Sequence, residues 1–352
     1  MSSPSLPPTS LSPLIMRPAR TTDLPALMEL AELSGPGFTS LPVNEALLAQ
    51  RLSKSEMAFA RAGSDPLTGK FLLMMENTET GTVCGCSAVK AGVGTGQPFF
   101  NYRIITLSQA SQEAERRIDM DALILTNEFQ GYTEVGTLFV KADARGGGAG
   151  RLAAQSRYLL MAAAPDCFND YVLSELRGVV DAEGVSPFWE CLGRHFFQMD
   201  FDEADVLSAT RGNQFILDLM PKHPIYVDLL PAEGREVIGR VHADGVGAFK
   251  LLEWEGFEFA RVVDVFDGGP LMVARRDRIR TIQDSRIVHL DPGIIEGEGA
   301  EALISNDDLS TFRTTLAEIQ MKDDGKYVVH PNVLDRLALK AGSQARIWKR
   351  NA

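Results

Sequence analysis

Cysteine, positive charge and long hydrophobic runs are all scarce in this sequence, and each scarcity excludes a class of protein. The four cysteines, at positions 84, 86, 167 and 191 of 352 residues, form neither a Cys-x-x-Cys pair nor a paired framework, which predicts reduced thiols and a cytoplasmic protein. Lys and Arg number 35 against 47 Asp and Glu, and the resulting net charge of −12 argues against a nucleic-acid-binding surface. No apolar run approaches the ~20 residues that a bilayer-spanning helix needs, so no membrane association is expected.

The hydrophobic content of 45% is nevertheless high enough for a chain of this length to bury a sizeable core, arranged as two or three domains. Residues 1–13, rich in proline and serine and without the features of a secretory signal, are predicted to be a disordered tail. Residues 14–284 are predicted to form the main domain, within which residues 203–256 are an extra helical segment. Residues 285–352 alternate short polar and apolar stretches and are predicted to be a small β-rich module.

The most informative segment is a strand, a glycine loop, a helix and a second strand in succession. A buried strand is predicted at residues 135–140, a glycine-dense loop at 141–150, an alanine-rich helix at 151–163 and another strand at 171–177. Glycines at the start of a helix let backbone N–H groups approach an anion, and the helix dipole favours negative charge there. The loop is therefore predicted to bind a phosphate group.

Three phosphate-binding patterns compete for this loop, and a tight turn without a ligand is a fourth alternative. A P-loop is excluded because no Gly-Lys-Ser/Thr follows. A dinucleotide-binding loop would use the same glycines, but the acidic residue expected about 20 positions later does not end a strand. The remaining pattern, Arg-x-x-Gly-x-Gly, is typical of the GCN5-related acyltransferases, which bind the pyrophosphate of acyl-CoA beside a splayed strand with free amides. The predicted acyl-CoA-binding set is Arg145, Gly146, Gly147, Gly148, Ala149 and Gly150.

Beyond the loop, long stretches of the sequence resemble the arginine N-succinyltransferase family. The resemblance extends along most of the chain and depends on nine segments: Gly37–Pro42, Glu76–Gly81, Asn101–Arg103, Glu134–Val140, Glu175–Val179, Ser186–Phe201, Leu219–Asp228, Val237–His242 and Asp264–Pro270. It implies an α/β (α+β) fold like that of the GCN5-related N-acyltransferases, with a mixed sheet flanked by helices and a small C-terminal β module. It also implies transfer of succinyl from succinyl-CoA to the α-amine of L-arginine in arginine catabolism.

The resemblance further implies roles for two residues outside the loop. The family's leucine that contacts succinyl-CoA falls on Leu138, in the strand before the loop, and its proton-donating histidine falls on His242. These roles suit the chemistry, because aminolysis of a thioester needs a donor for the oxyanion and a proton for the departing thiolate. Succinyl-CoA is then a co-substrate rather than a permanently bound cofactor, and L-arginine is the second substrate.

Two segments depart from the family pattern and leave three functions open. Gln109–Ser111 stands where the family commonly has His-Ala-Ser, and Asn127–Gly131 stands where it commonly has Asn-Asp-His-Thr-Gly. The first function is arginine succinylation, and the second is acyl transfer to ornithine or another basic amino acid. The third is a non-catalytic acyl-CoA-binding subunit, and a homo- or hetero-oligomer is compatible with all three.

Carboxylates and arginines supply the other candidate site residues. Glu134, at the start of the key strand, and Glu128 are candidates for accepting the proton of the amine, although solvated surface acids remain the alternative. Arg103 and Arg177 are candidates for binding the free carboxylate of the succinyl group, because a guanidinium pairs with a carboxylate through two parallel hydrogen bonds. Surface ion pairs are the alternative for both arginines.

No metal site is predicted. Cys84 and Cys86, two positions apart on a predicted strand, are expected to share one face and to be buried as small hydrophobic residues. Their spacing is not that of a zinc site.

Overall fold

The computed structural model describes residues 12–35, 40–61, 67–181 and 183–349. Residues 1–11 of the predicted tail and residues 37–39 of the first family-like segment lie outside this part of the chain. The described residues form fifteen strands: β1 Leu14–Pro18, β2 Lys70–Asn77, β3 Thr82–Lys90, β4 Asn101–Ser111, β5 Arg116–Thr126, β6 Thr133–Val140, β7 Tyr171–Glu175, β8 Ile225–Tyr226, β9 Glu258–Asp264, β10 Pro270–Arg275, β11 Arg286–Pro292, β12 Ala300–Ser305, β13 Thr314–Met321, β14 Tyr327–Val329 and β15 Gln344–Lys349. They also form ten α-helices: α1 Leu24–Ser34, α2 Glu45–Ala60, α3 Ala149–Ala163, α4 Arg194–Phe197, α5 Phe201–Arg211, α6 Gln214–Leu219, α7 Ala232–Val237, α8 Val246–Glu255, α9 Arg280–Gln283 and α10 Pro331–Leu337.

The main domain is a mixed sheet in the order β1-β2-β3-β6-β7-β10-β9-β4-β5-β8. β6 and β7 run parallel because α3 connects them as a crossover, whereas the other neighbouring strands in this series are antiparallel. α3 covers one face of this sheet, and α1 and α2 cover the other. The predicted α/β class, a mixed sheet flanked by helices, is therefore confirmed.

The helices on the two faces are held by apolar residues at helical spacing. On one face, Leu152 of α3 is buried against Val135 of β6. On the other face, Asn44 caps α2 by accepting a hydrogen bond from its first turn, and Leu48 of α2 is buried against Met74 of β2. The sheet between the helices is therefore rigid on both sides, as a strand-edge binding site requires.

An aromatic core fills the insertion between β7 and α8. The helix predicted after Ser186 includes a π-helical turn over Trp189–Gly193, where a Cβ on Gly193 would lie only 2.3 Å from the indole of Trp189. The same indole stacks on Phe197, with ring centroids 5.1 Å apart. This segment packs against β4 and β9, where Tyr102 and Val263 belong to the same aromatic core.

Two local predictions need correction. The short strands expected near residues 102–107 and 122–126 are longer, because the hairpin of β4 and β5 continues through polar, exposed residues that carry no apolar signal. Cys84 and Cys86 are both buried but do not share a face, since Cys84 packs beneath α3 and Cys86 beneath α1 and α2. A β-bulge opposite Met75 inserts one residue into β3 between them and reverses the alternation.

The C-terminal strands close into a five-stranded barrel. β12 pairs with both β13 and β15, β11 pairs with β15 and β14, and β14 pairs with β13, so the ladder returns to its starting strand. The interior is filled by Leu290 and Ile304 from the strands and by Val333 and Leu337 from α10. These strands occupy residues 286–349, within the segment for which a small β-rich module is predicted.

The barrel packs directly against the main domain. β13 pairs with β1 through Thr315 and Ile15, so the main sheet and the barrel share one hydrogen-bonded ladder. On the outer surface of the barrel, Leu316 and Trp348 join the hydrophobic core beneath α3. The barrel therefore contacts the helix that follows the glycine loop.

Candidate active site

β6 and β7 are paired at one end and separate at the other. The parallel register joins Thr133 to Val172 and Glu134 to Leu173, and within the described chain it extends no further. The rest of β6, up to Val140, presents one edge to the space between the two strands. This is the splayed strand expected of an acyltransferase, and we refer to the space as the β6–β7 opening.

A β-bulge in β6 directs one backbone donor into this opening. Thr137 and Leu138 together oppose Ser87 of β3, and Thr137 has a positive φ of 51°. The thiol of Cys86 on β3 contacts the carbonyl oxygen of Thr137 at 3.6 Å, so this carbonyl faces β3. Because C=O and N–H point in opposite directions across a trans peptide, the N–H of Leu138 points away from β3 and toward the opening.

The glycine loop continues from the same strand into α3. Gly146, Gly147 and Gly148 all have positive φ values, of 101°, 51° and 85°, which favour glycine over any residue with a side chain. In the described structure, a Cβ built on Gly146, Gly147 or Gly150 would meet no heavy atom within 4 Å, so the loop faces open space. The first intrahelical bond runs from Leu152 to Gly148 (2.8 Å), which leaves the N–H groups of Gly150 and Arg151 to be satisfied by a ligand or water.

The other loop residues shape this turn. Arg145 folds back and donates from Nε to the carbonyl of Val140 (3.1 Å). Ala149 is buried, and its N–H donates to the carbonyl of Gly146 (2.9 Å). The remaining glycine, Gly148, faces the barrel: a Cβ there would lie 2.6 Å from Cδ1 of Leu316. The loop is thus fixed from both sides, by β6 and by the barrel.

His242 lies just beyond the end of β7. Its N–H donates to the carbonyl of Arg177 (2.8 Å), two residues past the strand, while its ring Nδ1 accepts from the N–H of Asp244 (3.2 Å). Partial burial and the nearby Arg177 guanidinium lower the pKa of His242, and the carboxylate of Asp244 opposes this shift. The imidazole is therefore mostly neutral near pH 7, with Nε2 as its other ring nitrogen.

Arg177 lies beside His242, and one nitrogen of its guanidinium has no hydrogen-bond acceptor among the described residues. Its Nε is buried and has no hydrogen-bond partner among the described residues. Burial lowers the pKa of Arg177, and the carboxylates of Asp267 and Asp244 oppose this shift. Asp267 also accepts hydrogen bonds from the N–H groups of Gly178 (2.7 Å) and Gly269 (2.8 Å), which fixes the backbone next to Arg177.

Two carboxyl groups lie where β6 and β7 begin to separate. Glu134 is nearly buried and accepts from Nζ of Lys90 (2.6 Å), and its Oε1 lies 3.4 Å from the position of a Cβ on Gly136. Glu175, at the end of β7, accepts from Nδ2 of Asn101 (2.7 Å). Burial first, and then the charges of Asp264 and Glu134, raise the pKa of Glu175 well above its usual value.

Sequence reasoning placed Glu134 near the site but missed Glu175. Glu175 lies within the family-like segment 175–179, yet a single carboxylate at a strand end gives no signal of its burial. Its proximity to Glu134 depends on the parallel register of β6 and β7, which only the fold determines. Glu175 therefore joins Glu134 as a group able to bind a cationic amine or accept a proton.

Arg103 and Glu128 are paired with each other. The guanidinium of Arg103 donates to Glu128 and lies over the ring of Phe129, with both charged side chains partly exposed. Arg103 lies on β4, which is separated from β7 by β9 and β10. This is the surface ion pair that was the alternative for both residues, so the structure does not bring them to the β6–β7 opening.

A metal site and a membrane-spanning helix are both absent from the described part of the chain. Nowhere in residues 12–35, 40–61, 67–181 and 183–349 do three His, Cys, Asp or Glu side chains come together to hold a metal ion. No helix in these ranges is both long and apolar enough to cross a membrane.

Comparison with known proteins gives consistent similarities over nearly the whole chain. Residues 14–281 match the family described as arginine N-succinyltransferase beta subunit, and residues 285–349 match its C-terminal domain. The arginine N-succinyltransferases of Escherichia fergusonii and Shigella flexneri are each 40% identical over 336 residues, which is 95% of this chain and 97% of theirs. Among solved structures, arginine/ornithine succinyltransferase subunit AI from Pseudomonas aeruginosa has a TM-score of 0.87 and 32% identity, over 96% of this chain and 99% of that chain.

Proposed function

Because the chain belongs to the arginine N-succinyltransferase family, we propose that it transfers the succinyl group of succinyl-CoA to the α-amine of L-arginine. The observation that supports this proposal most directly is the β6–β7 opening, with the N–H of Leu138 directed into it and the glycine loop at its end. An acyl-CoA fits this arrangement, because a strand edge and a helix N-terminus provide backbone donors for the thioester and the pyrophosphate in turn.

Succinyl-CoA binds as a co-substrate along β6. The open glycines and the first turn of α3 hold the pyrophosphate through N–H groups, while Arg145 and Ala149 keep the loop in shape. The thioester carbonyl accepts a hydrogen bond from Leu138. The negative charge that develops on this oxygen during attack is stabilised by the same donor, which makes Leu138 the oxyanion-binding residue.

His242 moves the proton that the reaction must transfer. The new bond forms between the α-nitrogen of arginine and the thioester carbon, and the bond from that carbon to the CoA sulfur breaks. His242 is mostly neutral before the reaction and carries its proton on Nε2, because Nδ1 accepts from the N–H of Asp244. The imidazole donates this proton to the departing thiolate, while Nδ1 is released from Asp244 and takes up the proton that the attacking amine gives off. A lowered pKa suits this double role, because His242 must be neutral to take up the proton of the amine.

Glu134 is proposed to attract the cationic substrate, and Glu175, whose pKa is raised by burial, is proposed as a group that can hold a proton there. Both residues lie at the start of the β6–β7 opening, and Oε1 of Glu134 lies next to Gly136, which has no side chain to fill the space. Of the two arginines considered for binding the succinyl carboxylate, Arg103 is paired with Glu128, whereas the Nε of Arg177 lacks an acceptor among the described residues. Arg177 is therefore proposed to bind one of the two substrate carboxylates, that of succinyl or that of arginine.

A second acceptor, ornithine, has a specific observation in its favour. The structural relative from Pseudomonas aeruginosa is named as an arginine/ornithine succinyltransferase subunit. We therefore include ornithine as an alternative acceptor of the succinyl group. Because that relative is named as a subunit, we also propose that this chain acts as part of an oligomer. Four free thiols fit a reducing compartment, and we place the reaction in the cytoplasm.

Thiol release from acyl-CoA tests the proposed function. Succinyl-CoA and acetyl-CoA are each incubated with arginine, ornithine, lysine or no amine, and free CoA is measured over time. We expect rapid release only with succinyl-CoA and arginine. Preference for ornithine would retain the mechanism and change the acceptor, whereas no release with any pair, despite CoA binding, would identify a non-catalytic subunit.

A further inference from the structure

A cavity of about 1180 Å³ lies beside α2, on the face of the sheet that α1 and α2 cover. Its basic lining residues include Arg51 and Lys54 from α2, Lys70 from β2 and Lys90 from β3. We refer to it as the cationic cavity, defined by these four residues. No acidic side chain of the described residues lines it, which is unusual in a chain with a net charge of −12.

The cationic cavity extends to the bulge that presents Leu138. Thr137, the residue before Leu138, belongs to its lining. The carbonyl of Ser40 accepts hydrogen bonds from the guanidinium of Arg51 and from the hydroxyl of Thr137. Ser40 therefore links a cavity cation to the strand segment where the thioester is proposed to bind, and the cavity reaches the residue next to Leu138.

The glycine loop is a separate part of the molecule. Loop residues 145–150 do not contribute to the cavity lining in the described chain, and Gly148 faces the barrel instead. The pyrophosphate is therefore proposed to bind at the glycine loop, and the cations of the cavity do not take part in holding it.

The charges within the cationic cavity are only partly balanced. Glu134 neutralises Lys90, with 2.6 Å between Nζ and Oε2. Partial burial and then the neighbouring charges of Lys90, Lys54 and Arg51 lower the pKa of Lys70, and Glu134 opposes this shift only weakly. An anion placed among these cations would relieve their mutual repulsion.

We propose that the cationic cavity binds a carboxylate of a substrate, with Lys70 as the central partner. This inference rests on the proposed function, because both proposed substrates carry such a group: the succinyl moiety has a free carboxylate and arginine has its α-carboxylate. Lysine and arginine donors recognise carboxylates through charge-assisted hydrogen bonds, and an open cavity allows entry before reaction. The cavity would thereby favour substrates that carry a free carboxylate over those that lack one.

Matched substrates with and without the carboxylate test this assignment in the full-length protein. Butyryl-CoA has the same chain length as succinyl-CoA without the charge, and agmatine is arginine without its carboxylate. In Lys70→Met, kcat/KM is expected to fall about 10- to 100-fold for the substrate whose carboxylate binds in the cavity. This is the size of effect expected when a hydrogen bond to a charged group is lost. Lys70→Arg is expected to retain most of the wild-type value.

The pattern of loss identifies which carboxylate is bound. A fall with succinyl-CoA but not with butyryl-CoA assigns the cavity to the acyl donor. A fall with arginine but not with agmatine assigns it to the acceptor. An equal fall with all four substrates, or no fall with any, overturns the proposal.

Binding of succinate provides a readout that does not depend on turnover. Calorimetric titration should show binding to the wild type and to Lys322→Met, a control at an exposed lysine of the barrel, and loss of binding in Lys70→Met. Equal succinate binding by Lys70→Met and the wild type, at matched thermal stability, overturns the assignment to the acyl donor. The same titration with L-arginine tests the assignment to the acceptor, and equal binding of both ligands by Lys70→Met and the wild type overturns the proposal. If the wild type releases no CoA with any pair, the proposed function fails while these two titrations still decide the cavity.

Discussion

In the C-terminal barrel β12 pairs with both β13 and β15, whereas in the main sheet β6 pairs with β7 only at Thr133 and Glu134. The barrel thereby satisfies its backbone donors and acceptors within a closed ladder, which suits a structural element without exposed edges. The β6–β7 opening does the opposite, because a bulge directs the N–H of Leu138 into space. The same backbone chemistry thus provides stability where the ladder closes and leaves a donor free for the proposed binding of acyl-CoA where it opens.

One of the contacts between the barrel and the main domain involves the glycine loop. Cδ1 of Leu316, on the outer surface of the barrel, lies 2.6 Å from the position of a Cβ on Gly148, so the barrel supports the glycine loop from behind. The following predictions test whether function is confined to the open region and whether the closed region contributes through this contact.

The largest effect is expected from removing the proton carrier at the opening. His242→Ala should lower kcat by roughly 10²- to 10⁴-fold, because the thiolate and the amine lose their shared proton relay. Steady-state rates of CoA release measure this loss. The matched control is His289→Ala, an exposed histidine of β11 in the barrel, whose rate should not change. Full activity in a folded His242→Ala protein would exclude the proton-transfer role.

A substitution in the loop should weaken acyl-CoA binding. Gly148→Val should raise the KM for succinyl-CoA by about tenfold or more. The new Cβ would collide with Leu316, and the backbone at this position has a positive φ that valine disfavours. Gly247→Ala, in α8 and outside the loop, is the control, since its Cβ enters open space and its φ is not positive, and its KM should stay close to that of the wild type. An unchanged KM in Gly148→Val would remove the loop from acyl-CoA binding.

The barrel contact should have a smaller effect on binding. Leu316→Ala is expected to lower the free energy of unfolding by about 2–5 kcal/mol, as other buried leucine truncations do, and to raise the KM for succinyl-CoA severalfold. Leu290→Ala, inside the barrel, should lower stability similarly without changing KM. Denaturant unfolding and initial rates on the same samples measure both quantities. Equal KM values for the two variants would show that the barrel supports folding alone.

The smallest effect concerns the pH dependence of the opening. The Arg177 guanidinium helps to hold the pKa of His242 below its ordinary value, so Arg177→Gln should raise that pKa. If neutral His242 accepts the amine proton, kcat/KM rises with pH through this pKa, and the rising limb should move to higher pH in the variant. An NMR titration of the His242 ring checks the shift directly. A pKa that does not rise would contradict the electrostatic role of Arg177.

Local sequence signals account for much of this fold but only part of the site. The strand, glycine loop and helix over residues 135–163 are predicted by apolar spacing and by glycines that need positive φ, and these signals are contained within a few neighbouring residues. The position of Glu175 next to Glu134, and the collection of Arg51 and Lys70 in one cavity, have no such local signal. They depend on strand register and on the packing of α2 against the sheet.

The sequence alone determined the glycine loop, the helix that follows it and the family resemblance from which roles for Leu138 and His242 are proposed. Only the tertiary structure decided where β6 and β7 separate, which carboxylates and cations meet there, and how the barrel closes. It also decided that Thr315 pairs with Ile15, although nearly the whole chain lies between them. The physical reason is the range of the interactions: φ preferences and apolar periodicity act between near neighbours, whereas ladder register, burial and charge proximity are properties of segments brought together by folding.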